Sequence, residues 1–186
     1  MWFETLVRGE TSCASYMFGS QETGECAIFD PLWDIRPYLN VARRKGAQFR
    51  YVIDSHSHAD HVSGARRLAA ATGAELVLPE RAEIEYEATR VGDGDELRLG
   101  EVRVSVLHVP GHRPEQINLL LADLGRGEDP WCLLTADFLF VGDVARSDLA
   151  LDGIAGARDI FDRALPRVED LPDFVEVYPG HFAGST

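Results

Sequence analysis

Positive charge is scarce in this chain: 18 Lys and Arg stand against 31 Asp and Glu, a net charge of −13 over 186 residues. A nucleic-acid surface needs clustered Lys and Arg to displace phosphate counterions, so that class of partner is excluded. Long apolar runs are also missing. No stretch approaches the roughly 20 residues that cross a bilayer, which excludes a transmembrane helix. The start, Met1-Trp2-Phe3-Glu4, lacks a basic region followed by a long apolar run, so no signal peptide is legible. Cysteine is limited to Cys13, Cys26 and Cys132, with no C-x-x-C pair, and the odd count fits a reducing, cytoplasmic compartment. Cys26 and Cys132 lie in apolar runs as packing residues; Cys13 stands in a Ser-rich stretch with two readings, a thiol that reaches the site or an inert one, and the inert thiol is preferred. No repeat, linker or low-complexity segment interrupts the chain. With 45% hydrophobic residues, this length predicts one domain over residues 1–186 with a full core.

What the chain does have is histidine in one place. His56-Ser57-His58-Ala59-Asp60-His61 puts three imidazoles and a carboxylate directly after the apolar run Tyr51-Val52-Ile53. Side chains alternate faces in an extended segment, so His56 and His58 point the same way and can grip one ion. Asp60 and His61 fall where a helix over Val62 to Thr72 is expected, and can aim at a second position. Four potential ligands at one strand end are far more specific than a lone polar loop residue. His112, in Pro110-Gly111-His112, and His181, in Pro179-Gly180-His181, repeat one design. A β-rich run feeds a Pro-Gly turn that presents an imidazole. Asp137 ends the apolar run Trp131 to Ala136 in the same manner, so the ligands gather at a rigid sheet edge. His108 is read as a strand residue, and Asp54 and Asp143 as either carboxylates orienting a ligand or turn residues.

These residues resemble the metallo-β-lactamase superfamily. Its H-x-H-x-D-H signature matches His56, His58, Asp60 and His61, and its later His, bridging Asp and final His match His112, Asp137 and His181. The resemblance covers nearly the whole chain and implies a four-layer αβ/βα sandwich of two mixed β-sheets flanked by helices. The segments around Asp54 to Gly64, Pro110 to His112 and Asp137 to Arg146 look most like the glyoxalase II and persulfide dioxygenase branch. Ala136 and Ala145 stand where that branch commonly has glycine.

Two activities are implied. In the first, His56, His112 and Asp137 hold a single iron(II), leaving room for dioxygen and a substrate sulfur, and glutathione persulfide is oxidised to sulfite. In the second, His56, His58, His112 and Asp137 hold one zinc or iron, and Asp60, His61, Asp137 and His181 hold another. That binuclear pair would hydrolyse a glutathione thioester, with Asp60 taking a catalytic role. The dioxygenase is preferred, because the helical domain with which glyoxalase II enzymes hold glutathione is missing from the sequence. A site kept only for folding is the third reading. Arg113 and Arg146, close in sequence to the ligands, are candidates for holding the substrate's carboxylates in an acidic protein. The chain reaches Thr186 soon after His181, an ending expected of a truncated chain or one module of a longer protein, and a fused rhodanese domain is the expected partner.

Along the rest of the chain, Phe3 to Val7, Ser15 to Phe18 and Cys26 to Phe29 predict a β-meander, with Gly9 to Ser12 as its first turn. A helix follows from Asp34 to Lys45-Gly46. Strands are predicted at Leu76 to Leu78, Val102 to Val109 and Ile117 to Leu121, with a turn at Gly92 to Asp95. A helix from Asp159 to Leu165, closed by Pro166, and a last strand from Leu171 to Tyr178 complete an α/β layered fold.

Overall fold

Short runs of apolar residues pair into two sheets. The computed structural model describes residues 1–9, 12–150 and 152–182; Glu10 and Thr11 of the expected first turn, and the chain end at Thr186, lie outside them. Strands β1 (Trp2–Val7), β2 (Ala14–Gly19) and β3 (Glu25–Phe29) form the expected antiparallel meander. The sheet then continues in parallel through β4 (Gln48–Ile53), β5 (Glu75–Pro79) and β6 (Thr89–Val91). Parallel neighbours need crossovers, and α1 (Arg36–Lys45) and α2 (Ala65–Thr72) supply two of them.

The second sheet contains β7 (Glu96–Leu99), β8 (Val102–His108), β9 (Ile117–Asp123) and β10 (Cys132–Ala136). A small ribbon of β11 (Leu139–Phe140) and β12 (Asp143–Val144) follows, and β13 (Glu176–Pro179) then pairs in parallel with β10 at the sheet's far edge. Alternation decides which side each residue faces. Tyr16 and Phe18 enter the core between the sheets, with Val104, Leu119 and Leu134 from the opposite side. Met17, Ile28 and Val52 face outward and are covered by Tyr38 and Val41 of α1 and Leu68 of α2. On the far face, Val109 and Phe138 pack against Ile160 and Ala164. Helix, sheet, sheet, helix is the expected four-layer order.

Three expected elements differ. The helix after the histidine cluster starts at Ala65 instead of Val62. Ser63 bridges to Leu32, and the Gly64 N–H donates to the Pro31 carbonyl at 2.7 Å, so the helix begins only after Gly64, its N-cap, and Asp60 and His61 stay on a loop. The late helix is longer than expected. It runs as α3 (Gly153–Asp159), capped by the Asp152 carboxylate on the Ile154 and Ala155 N–H groups, through a π-helical turn (Ile160–Ala164) into α4 (Leu165–Glu169). Pro166 therefore lies inside a continuous helical run, just past its π-helical turn, and does not close a helix. The last strand is shorter than expected, because the Val175 N–H turns back onto the Pro172 carbonyl before Glu176 joins the sheet.

Candidate metal centre

Four strand ends deliver the site residues to one edge of the sandwich. The His56–His61 loop follows β4, His112 follows β8, Asp137 follows β10 and His181 follows β13. Asp137 divides its two oxygens. Oδ2 lies 3.8 Å from His56 Nε2 and 3.6 Å from His112 Nε2, while Oδ1 lies 3.3 Å from His181 Nε2. Donor atoms of His56, His112 and Asp137 all fall within 4.8 Å of one another, and all three residues are buried.

The imidazoles differ in charge because their neighbours differ. His56 contacts the Ser55 hydroxyl through Nδ1 at 2.7 Å, and its buried Nε2 has no hydrogen-bond partner among the described residues. Burial, then the neighbouring histidines, hold His56 far below its ordinary pKa, so it is neutral, as a ligand must be. Burial lowers His112 too. His58 behaves otherwise. Its ring lies beside that of His56, with centroids 4.3 Å apart, but its Nε2 turns to Asp30 Oδ1 at 3.2 Å and toward Asp54 Oδ1 at 4.0 Å. Burial works against its charge, yet these carboxylates raise its pKa to about 9. His61 sets Nδ1 3.1 Å from both Asp60 oxygens. Asp60 is held below the usual carboxylate range: burial opposes this, and the bond to His61 and the adjacent imidazoles outweigh it. His181 is raised by its bond to Asp137.

Two carboxylates here were not singled out in the sequence. Asp30 accepts the Ser55 N–H at 2.7 Å as well as facing His58. Its signal was available, since it ends the apolar run Cys26 to Phe29 as Asp137 ends its own, but it reads equally as a turn beside Pro31. Glu115 accepts the Ser57 N–H at 3.1 Å and faces Arg113 Nε at 3.3 Å. Of the ambiguous pair, Asp54 backs the site, accepting from Ser63 Oγ at 2.7 Å, whereas Asp143 is exposed and caps the Val144 N–H. His108 ends β8 as a strand residue, and its Nε2–H donates to the Pro114 carbonyl at 2.8 Å. Cys13 is placed at the site: Sγ lies 3.5 Å from Asp60 Oδ2.

The two Pro-Gly-His turns have different physical reasons. Gly111 has φ +140°, and a Cβ there would also strike Ile160. Gly180 needs no unusual φ; it is small because a Cβ would sit 2.5 Å from Asp137 Oδ1. Ala136, at a family glycine position, has φ 45° despite its Cβ. Arg113 is half-buried and borders a cleft of about 580 Å³ with Ser57, Arg81, Glu83 and Leu149. Arg146 is exposed, its guanidinium paired with Asp148 at 2.8 and 3.1 Å.

An orphaned, buried Nε2 on a neutral imidazole costs about 1–3 kcal/mol unless something satisfies it, and a metal ion would satisfy His56. A sandwich that gathers imidazoles and carboxylates at one edge defines a metal-binding class of protein. Within that class the chain belongs to the metallo-beta-lactamase superfamily, whose profile matches residues 8–181. It is 33% identical over 170 residues to a hydroxyacylglutathione hydrolase from a Polaromonas species, covering 90% of this chain and 61% of the relative. It is 24% identical over 173 residues to human mitochondrial persulfide dioxygenase ETHE1, covering 91% and 64%. Among solved structures, ETHE1 from Myxococcus xanthus superposes with a TM-score of 0.82 at 30% identity, over 97% of this chain and 76% of that one. The chain thus spans about three fifths of the length of these two curated relatives.

Proposed function

We propose that this chain is a persulfide dioxygenase: glutathione persulfide, dioxygen and water give glutathione and sulfite, with the S–S bond broken, the outer sulfur oxidised and dioxygen reduced. His56, His112 and Asp137 would hold the metal, Ser55 would fix the His56 ring, and Asp30 and Asp54 hold His58 beside it. Iron on such a two-histidine, one-carboxylate face supplies one-electron chemistry toward dioxygen. The observation that supports this reading is the separation of His58. Its donors group with Asp30 and Asp54, or with Asp60 and His61, and do not enter the buried set of His56, His112 and Asp137. Asp30 engages His58 through Nε2, so Nδ1 is the nitrogen that a four-ligand hydrolase set would use.

Arg113 is proposed to hold a glutathione carboxylate. The cleft it borders, about 580 Å³, lies within the roughly 300–1,000 Å³ of small-molecule sites, and Ser57 joins it to the His56 loop. Arg146 takes second place, since it is exposed and Asp148 engages its guanidinium through two bonds, against the single one from Arg113 to Glu115. A binuclear hydrolase of glutathione thioesters is the second reading. It is favoured by the way Asp137 offers one oxygen to His56 and His112 and the other to His181. Replacing His112 by Ala tests the site: metal-dependent turnover is lost, and wild-type rates in that variant would refute the assignment.

A further inference from the structure

Cys13 joins Asp60 and His181 in a second set of donors, all within 4.8 Å of one another. The three come from separate segments and differ in chemistry: a thiol, a carboxylate and an imidazole. Backbone pairing builds the set. Cys13 and His181 oppose each other in an antiparallel bridge, and the Ala14 N–H donates to the Gly180 carbonyl at 2.8 Å. Directly opposed residues place their side chains on one face of the pair.

The spacing is that of ligands to one ion. With metal–sulfur about 2.3 Å and metal–oxygen about 2.0 Å, a tetrahedral angle sets sulfur and oxygen about 3.5 Å apart, and nitrogen and oxygen about 3.3 Å. Cys13 Sγ lies 3.5 Å from Asp60 Oδ2, and His181 Nε2 lies 3.4 Å from the same oxygen. The other cysteines cannot contribute, because Cys132 is packed between the sheets and Cys26 beneath the helices. We infer that Cys13 is the sulfur donor of a second, thiophilic metal position formed with Asp60 and His181. On binding, the thiol proton leaves to water as the metal–sulfur bond forms. A thiolate selects zinc, cobalt or cadmium over magnesium and manganese, so this position differs in preference from the one at His56, His112 and Asp137. The inference rests on the edge being a metal centre, and not on which reaction it performs.

Cobalt(II) added to chelator-stripped protein reads it directly. The wild type shows a near-ultraviolet sulfur-to-cobalt charge-transfer band, and Cys13→Ser loses that band while keeping the visible bands of cobalt on imidazole and carboxylate. An equal band in Cys13→Ser, or visible bands with no charge-transfer band in the wild type, overturns the sulfur donor and leaves the metal centre standing. No cobalt spectrum at all overturns both. Should Cys13→Ser not fold, alkylation of the wild type decides: zinc slows modification of Cys13, and an unchanged rate overturns the inference.

Discussion

Replacing Gly180 by Ala should damage the metal centre without touching a ligand. An ideal Cβ at this position lies 2.5 Å from Asp137 Oδ1 and 3.0 Å from the carbonyl carbon and oxygen of Ala136. Ordinary contact begins near 3.4 Å, so the difference is an overlap of about 0.9 Å. The backbone gives little, because the Gly180 N–H is bonded to the Ala136 carbonyl at 2.6 Å. The carboxylate moves instead. Ligand distances tolerate only about 0.2 Å, and a displacement near 1 Å costs about 100-fold in rate. Overpacking adds about 1–3 kcal/mol of instability, or a Tm lowered by roughly 2–4 °C for each kcal/mol. Metal content, turnover and thermal unfolding are compared with Gly127→Ala, whose Cβ meets nothing within 4 Å. A Gly180→Ala protein with wild-type metal content and rate would refute the reasoning.

Asp30→Asn keeps an acceptor for the Ser55 N–H but removes the charge facing His58; with the metal on His56, His112 and Asp137, its affinity should fall by less than the roughly 10–100-fold that follows loss of a ligand's own partner, and a fall of that size in competition with a chelator would bring His58 into the ligand set. The pKa of His58 is raised from its ordinary 6.5 to about 9 in the metal-free protein. Its contribution to stability is therefore complete below about pH 6.5 and lost as pH rises through about 9. Stripped wild type should lose Tm between these values relative to His58→Gln, and parallel profiles would contradict this. Ala136→Gly relieves left-handed strain of about 1–2 kcal/mol against losses of similar size in chain entropy and buried methyl. Its Tm should stay within about 4 °C of wild type, whereas Ala27→Gly, buried with no strain to relieve, should lose more. Arg113→Ala should raise KM more than it lowers kcat, and unchanged kinetics would remove Arg113 from substrate binding.

The layers were legible because strand and helix periodicities are strong in this chain, and the histidine cluster because its spacing is rare outside metal sites. The boundaries failed where tertiary bonds override local preference. The Leu32–Ser63 bridge and the bond from Gly64 to the Pro31 carbonyl delay the helix to Ala65, and Pro166 lies within a helical run that it was expected to end. Asp30 was hidden for a related reason. It lies far from the cluster in sequence, and only the parallel pairing of β3 with β4 sets the ends of both strands side by side. The approach of Cys13 to Asp60 likewise depends on its bridge to His181, a contact across most of the chain.

Metal content of protein purified without added metal, paired with oxygen uptake on glutathione persulfide, tests the central claim most directly. The account predicts iron bound through His56, His112 and Asp137, with oxygen consumed and sulfite released, both lost in His112→Ala. Hydrolysis of a glutathione thioester with no oxygen uptake would contradict it and assign the same edge to a binuclear hydrolase.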